Sequence, residues 1–470
     1  ILIGLVGSEM CIRDRRYTMK KIAFCAAAGN GISPLEQIMI KKGYEVYGSD
    51  SSFDEGLNQD RKAALESVGL KIVPQDGSAV FPDTECLYIS SIINEENPDI
   101  KAARKYNVPV KKRSDLLEEI FSGYAKGIAV GGTAGKTTTT AMIGYILDRL
   151  GQKPCMINGG MLCNYEDRPG LPNYLYNESD VCVIEADESD GSIQKYHPYI
   201  GIVNNISHDH TSMEKLVEYF TNFASHVQYA LIVNYDCPLT RSLTSPKKTF
   251  SFSIKDSHAD IFAYNIKAVE HGVEYSIDGK KFSLALLGKF NVANALAAIS
   301  ACMMLGLDKF DAAKALEGFT GVKVRLEKVG SAKGITFYAD FAHNPTKIAA
   351  SAAAIKEHPG RLIMMYQPHT PFSVMNTGAE VAAELSKVIS AEDIVLMQEI
   401  YELTPKDSVS SNDIITKIKA AGHQNAFFMP RREETRKFIL ANAKPGDRVV
   451  IMGAHDNSLP DFSRQLCKEI

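Results

Sequence analysis

The chain has 470 residues, more than one hydrophobic core usually supports, so two or three domains are expected. With 45% apolar and 23% charged residues and a net charge of -4, it is an ordinary globular composition with no electrostatic case for nucleic acid or an anionic membrane surface. Nine scattered cysteines without a CxxC pair argue against a zinc framework or disulfides and fit a reducing, cytoplasmic setting, and no apolar run approaches the ~20 residues that span a bilayer. A small-molecule substrate is the expectation, with the protein a monomer or homodimer.

Residues 1–18, ILIGLVGSEMCIRDRRYT, precede a bacterial-looking start at Met19-Lys20-Lys21-Ile22. The run LVGSEMCIRDR resembles a translated sequencing-library adapter; a disordered tail is the alternative, and fold reasoning begins at Met19.

From Lys20, KIAFCAAAGNGIS reads as a buried strand, a glycine turn and a helix, followed by strands at YEVYGSD (44–50) and CLYISSIIN (86–94). A second unit starts with KGIAVGG and continues through VCVIEADESD (181–190), IGIVNNISHDH (200–210) and ALIVNYD (230–236). The section 249–285 alternates with period two and predicts a small antiparallel sheet, after which NVANALAAISACMMLG forms a helix. The third unit, from about 319, holds strands in ITFYADFAHNP, RLIMMYQPH, DIVLMQEIY and DRVVIMGAHD, each ending in polar or glycine-rich sequence. Alternating strands and helices of this kind indicate an α/β fold of parallel sheets, whose ligands gather at the carboxyl ends of strands.

The stretch IAVGGTAGKTTTTAM (128–142) lies between a strand and a helix, the context that makes a phosphate loop credible. Glycines admit backbone N–H groups to phosphate oxygens, and the helix start favours negative charge. Gly132, Thr133, Ala134, Gly135, Lys136, Thr137 and Thr138 are the candidate ATP contacts. Lys136 is suited to the β and γ phosphates and Thr137 to Mg²⁺. Val130 stands where the general pattern has its first glycine, so the loop is one residue short.

Downstream, Glu185, Asp187, Glu188 and Asp190 crowd one strand end, and Asp209-His210 another. Glu185 and His210 are the candidate metal partners of Thr137, although histidine is an unusual ligand for a hard cation. Asp190 reads as a cap or solvated acid, and Glu188 is balanced between that role and the site.

These residues resemble the Mur ligase family. G-T-x-G-K-T-T-T-T, E-A-D-E-S-D, D-H, G-x-x-N-x-x-N at 288–294 and D-F-A-H-N-P at 340–345 occur in family order, as do YGSD, SSxIxxxNP at 90–98, INGG at 157–160 and QPH at 367–369. The resemblance implies three domains: an N-terminal Rossmann-like, UDP-sugar-binding domain (19–122), a central P-loop ATPase-type α/β domain with a small antiparallel sheet (123–318), and a C-terminal Rossmann-like ligase domain (319–470).

It also implies ATP-dependent, ADP-forming amide synthesis. A carboxylate, UDP-N-acetylmuramate above all, is phosphorylated and then attacked by the amine of L-alanine or another amino acid, in peptidoglycan precursor synthesis. A murein-tripeptide recycler, a pathway-specific ligase, or a non-ligating ATP-binding regulator are alternatives within the same resemblance. Lys136, Glu185, His210, Arg325 and His343 would be catalytic, Asn291 would face adenine, Arg325 the phosphates and Asp340 the ribose. Gly29, Gly31, Ser33, Asp50, Ser90 and Ser91 would meet the UDP-sugar. Against this, Asn291 and Asn294 are also suited to capping the helix that begins there.

Three departures stand out. The N-terminal glycine turn is eroded to Ala26-Ala27-Ala28-Gly29-Asn30-Gly31, Phe290 replaces a histidine, and the segment Thr370-Pro371-Phe372-Ser373-Val374-Met375 lacks arginines found in the family branch that adds L-alanine. The ATP machinery reads as intact and the acceptor pocket as altered.

Overall fold

The computed structural model describes residues 19–208, 211–404 and 408–470. Contacts divide the chain into two compact units, the first of residues up to Ile32 with Glu36–Arg113, the second of Ser33–Leu35 with Ser114–Ile470.

The first unit is built on a five-stranded sheet of β1 (Lys21–Cys25), β2 (Glu45–Ser49), β3 (Lys71–Ile72), β4 (Thr84–Ile89) and β5 (Val110–Lys112). Its order is β3-β2-β1-β4-β5, and each pair is parallel. Chain reversal in strand order between β1 and β4 opens a crevice at their carboxyl ends.

In the second unit the largest sheet contains β6 (Lys126–Gly131), β7 (Cys155–Ile157), β8 (Tyr174–Leu175), β9 (Val181–Glu185), β10 (Ile200–Val203), β11 (Ala230–Asn234), β12 (Lys248–Ser253) and β13 (Ile261–Phe262). Their order is β13-β12-β11-β10-β6-β9-β7-β8. β6 therefore lies between β9 and β10, parallel to both, and the turn that follows it opens between their carboxyl ends.

The antiparallel sheet is smaller than period-two alternation predicts. Only β14 (Tyr264–Val269), β15 (Gly272–Ile277) and β16 (Lys280–Leu284) form it. β12 and β13 instead pair in parallel and extend the main sheet. An edge strand covered on one face alternates just as a hairpin strand does, so periodicity does not distinguish the two.

The last sheet comprises β17 (Glu327–Ala332), β18 (Ile335–Asp340), β19 (Leu362–Gln367), β20 (Ile394–Met397), β21 (Ala426–Phe428) and β22 (Arg448–Gly453), in the order β17-β18-β22-β19-β20-β21. Only β17 is antiparallel to its neighbour. Its strands read as unbroken apolar runs because both faces are covered: Met364, Tyr366, Val450 and Met452 enter one core, and Ile363, Met365, Val449 and Ile451 the opposite one.

Candidate active site

Gly132 and Gly135 carry φ angles of +131° and +84°, a region open to glycine at little cost. A Cβ on Gly135 would collide with Asn294 Oδ1 and come within 2.9 Å of Asn204 Nδ2, so this turn is packed from two sides. Val130, at the position of the missing first glycine, is a buried residue of β6, and the turn begins only after Gly131.

Lys136 opens the helix Lys136–Arg149, whose first amides have no partner within the helix and present partial positive charge. Its Nζ donates to Gly132 O at 2.8 Å and to Glu188 Oε2 at 2.7 Å, with Asp187 at 3.9 Å. Burial acts to lower the lysine pKa, and Glu188, Asp187 and Glu185 more than reverse it, leaving it raised. Glu188 is 1% exposed, and its other oxygen, Oε1, is buried without a hydrogen-bond partner. Burial pushes its carboxyl pKa up against the pull of Lys136. The structure thus places Glu188, which the sequence left balanced between a cap and the site, against Lys136, while Asp190 accepts from Ser192 N and is a local cap.

Glu185 and Thr137 converge as expected: Thr137 Oγ1 donates to Glu185 Oε2 at 2.9 Å, and Gly159 N of the INGG motif donates to Glu185 Oε1. Two adjacent oxygen donors of this type fit a hard divalent cation. Asp209 and His210 lie outside the described residues. Among the described residues no group of three or more His, Cys, Asp or Glu is arranged to hold a metal.

From β10 comes a clamp absent from the sequence reading. Asn205 Oδ1 accepts from Thr133 Oγ1 and Ala134 N, both at 2.8 Å, and its Nδ2 donates to Ala134 O at 3.0 Å. Asn204 Nδ2 donates to Thr139 Oγ1 at 2.9 Å. Asparagines at a strand end carry no motif, and only the parallel register of β6 with β10 brings them to the turn.

Asn291 and Asn294 do not cap their helix, whose N-cap is Gly288. Asn291 Nδ2 donates to Leu287 O at 2.8 Å and Asn294 Nδ2 to Asn291 Oδ1 at 3.1 Å, which sets Asn294 against Gly135.

Arg325 reaches this site from the segment before β17. Its guanidinium donates to Thr137 Oγ1 at 3.4 Å and lies 4.7 Å from the Phe341 ring centroid. Burial lowers its pKa, with Glu185 and Asp340 opposing. The flanking Val324 and Leu326 hold φ at +56° and +51°, a strained region for a β-branched residue above all. The turn is tied down by Phe341 N to Val324 O, 3.0 Å, and Leu326 N to Asp340 Oδ1, 3.1 Å. Asp340 also accepts from Ser351 Oγ, and burial raises its pKa against these donors and Arg325. His343 Nδ1 is 2.9 Å from Phe341 O, and its ring centroid is 5.5 Å from that of His369.

In the first unit, the sequence-predicted residues collect at the carboxyl ends of β1, β2 and β4. Asp50 accepts from Ala28 N at 2.9 Å and from Ser52 N and Oγ. Gly29 N donates to Ala26 O, and a Cβ on Gly31 would meet Arg113. Ser33, which the contacts assign to the second unit, opens the helix Ser33–Lys41. Ser90 and Ser91 form the turn after β4, where Ile93 N donates to Ser90 O.

Family models match three consecutive segments: "Mur ligase family, catalytic domain" at 21–125, "Mur ligase middle domain" at 130–302 and "Mur ligase, glutamate ligase domain" at 324–455. The chain is 32% identical over 462 residues to a UDP-N-acetylmuramate–L-alanine ligase of Cyanothece sp., covering 92% of each chain. It is 32% identical over 454 residues to a ligase of the same name from Dinoroseobacter shibae, covering 92% of this chain and 94% of the relative. Among solved structures it resembles the UDP-N-acetylmuramate-alanine ligase MurC of Thermotoga maritima, with a TM-score of 0.78, 26% identity and 96% and 99% coverage. A murein peptide ligase from Psychrobacter arcticus shares the fold, with a TM-score of 0.67 at 22% identity and coverage of 96% and 98%.

Proposed function

The chain belongs to the Mur ligase family, and on that premise we propose that it is an ADP-forming ligase that activates UDP-N-acetylmuramate through its carboxylate and joins it to the amine of an amino acid. The observation that supports this reading most strongly is the meeting of Lys136 and Thr137 with Glu185, Glu188 and the strained Arg325 turn.

A carboxylate oxygen attacks the γ phosphorus, ADP leaves, and the amine nitrogen then attacks the acyl carbon and expels phosphate. Such transfer is driven by positioning and charge neutralisation more than by covalent help from the protein. Lys136, already desolvated, supplies a positive charge at the phosphates, and the amides of the helix start supply dipoles. Arg325, bonded to Thr137 Oγ1, would add a second cation to the same oxygens, and Asn205 and Asn204 brace the turn and the helix that follows it. Thr137 and Glu185, with His210 as proposed third partner, would hold Mg²⁺, which supplies charge stabilisation at the phosphoryl oxygens when bound.

Asn291 and Asp340 remain proposed for adenine and ribose, His343 for the closed site, and Gly29, Gly31, Ser33, Asp50, Ser90 and Ser91 for the UDP-sugar. No helix among the described residues is long and apolar enough to cross a membrane, and a cytoplasmic location is proposed with the reaction.

The test is ADP release by the whole chain with UDP-N-acetylmuramate, with and without an amine, together with hydroxylamine trapping of the acyl phosphate. Hydroxamate formation dependent on the carboxylate is expected. ATP turnover indifferent to every carboxylate offered would sink the reading.

A further inference from the structure

Resting on the ligase reading above, one further property concerns the proton that amide synthesis releases. At neutral pH an α-amine is mostly an ammonium, which has no lone pair with which to attack the acyl carbon. The balanced step takes acyl phosphate and ammonium to amide, monohydrogen phosphate and one proton. The carbon–nitrogen bond forms, the carbon–oxygen bond to phosphate breaks with its electron pair on phosphate, and the nitrogen loses two protons. Phosphate carries one of them away. The other has to reach water through the protein.

Four adjacent parallel strands of the last sheet, β18, β22, β19 and β20, end on one side, and the loops that follow them carry His343, His455, His369 and Glu402. His343 Nδ1 lies 2.9 Å from Phe341 O; a carbonyl only accepts, so the proton sits on Nδ1 and the ring is fixed in that tautomer. The same ring meets Phe341 edge-on at 5.3 Å between centroids, and Phe341 carries the Arg325 guanidinium, which donates to Thr137 Oγ1. Contacts therefore run unbroken from the phosphate site to His343.

They continue outward. The His369 ring stands perpendicular to that of His343 at 5.5 Å, and the His455 ring lies 4.7 Å beyond it. Imidazoles this close can exchange a proton directly or through one water. His455 Nδ1 pairs with Glu402 Oε1 at 2.7 Å, which in the neutral ring puts the proton on Nδ1 and the lone pair on Nε2. Glu402 N donates to His369 O at 3.0 Å, so one loop is tied to the other. His343 and His369 are half-buried, whereas the side chains of His455 and Glu402 are 48% and 49% exposed.

The charged groups around this row are committed elsewhere. Asp456, next to His455, pairs with Arg432, and Glu399 accepts from Ile400 N and the Ser410 and Ser411 hydroxyls. His455 also holds φ at +69°, a backbone conformation that suits glycine, and strain kept in a loop points to a task for the side chain it carries.

We propose that His369 takes the proton of the attacking ammonium and passes it through His455 and Glu402 to water, with His343 holding the His369 ring in place. His369 accepts at one ring nitrogen and gives up a proton from the other. His455 accepts at Nε2 while its Nδ1 proton moves to Glu402, which releases it to solvent. His455 and Glu402 act through His369 and are positioning residues.

The test compares two kinds of nucleophile on the whole chain with ATP and UDP-N-acetylmuramate. One is the fastest of L-alanine, glycine and L-serine, each an ammonium in solution; the other is hydroxylamine, already unprotonated at neutral pH and needing no base. His455→Asn uses a residue that tolerates positive φ, and Glu402→Gln lies at the surface. Each is expected to lower kcat with the amino acid about tenfold at pH 7, leaving the KM for ATP and the rate of hydroxamate formation within about twofold. The deficit is expected to vanish as the pH rises and the free amine predominates. An equal loss with hydroxylamine, a deficit that ignores pH, an unmoved kcat, or hydroxamate formation with no amide from any of the three amino acids overturns the inference and leaves the ligase reading standing. Absence of hydroxamate in the wild type sinks both.

Discussion

The turn after β6 and the turn after β1 each carry a chain from a buried parallel strand into a helix, and they spend their backbone groups differently. In the first, the positive φ angles fall on Gly132 and Gly135, and the turn is gripped from outside by the side chains of Asn204 and Asn205. The amides of the helix start are left for an anion, with Lys136 beside them. In the other, the positive φ falls on Ala26 at +70°, Ala28 N is taken by Asp50, and Gly29 N closes back on Ala26 O. Both turns are held from outside, but in the turn after β1 Ser49 O, Asp50 and Ala26 O take up four successive amides, Ala26 to Gly29 without a break, and leave fewer donors to offer.

The largest effect that would break this contrast is Lys136→Ala. Removing a buried phosphate clamp is expected to lower kcat/KM for ATP at least ~100-fold. A loss under about tenfold would mean that the turn after β6 is no more specialised than the one after β1. Next comes Gly135→Ala, which forces an L residue to φ +84° and drives a Cβ into Asn294. Strain of about 2 kcal/mol predicts an ATP affinity reduced roughly 30-fold, read by calorimetric titration.

Glu188→Gln sharpens the comparison. The carboxylate neutralises Lys136 before any phosphate arrives, so its removal is expected to cost about tenfold in kcat/KM for ATP. The sign of the pH effect is defined. Glu188 raises the lysine pKa and burial lowers it, so without the carboxylate the ammonium deprotonates at lower pH. The alkaline limb of the pH–rate profile should therefore move towards neutrality; an unmoved limb would show that Glu188 does not govern Lys136.

What the residue string discloses follows the same division. Lys136, Thr137 and Glu185 are legible from the phosphate-loop spacing and the acidic strand end, whereas Arg325, Asp340 and His343 are legible only through the family resemblance; the structure brings Lys136, Thr137, Glu185 and Arg325 to one place. Asn204 and Asn205 are not legible, since their partners in the turn are about 70 residues away in sequence and depend on strand register. Val324 and Leu326 are hidden for another reason: nothing in their side chains favours positive φ, and tertiary hydrogen bonds impose it. Alternation in β12 and β13 predicts antiparallel pairing and the structure pairs them in parallel, because alternation reports which face is buried and not which strand is the neighbour.

The smallest expected effect concerns Ala26→Gly. At φ +70° the alanine Cβ crowds the backbone, and glycine relieves this at the cost of a more flexible unfolded chain. Relief of about 1 kcal/mol against an entropy cost of similar size leaves a net gain of roughly 0.5 kcal/mol or less. Denaturant unfolding is the first measurement, and UDP binding the second. Because Ala28 N and Gly29 N stay committed to Asp50 and Ala26 O, the glycine alone should leave UDP affinity within about twofold. A large gain in UDP affinity would show instead that the Ala26 methyl itself blocks the phosphates, and that the turn after β1 is an obstructed receptor and not one whose amides are already committed.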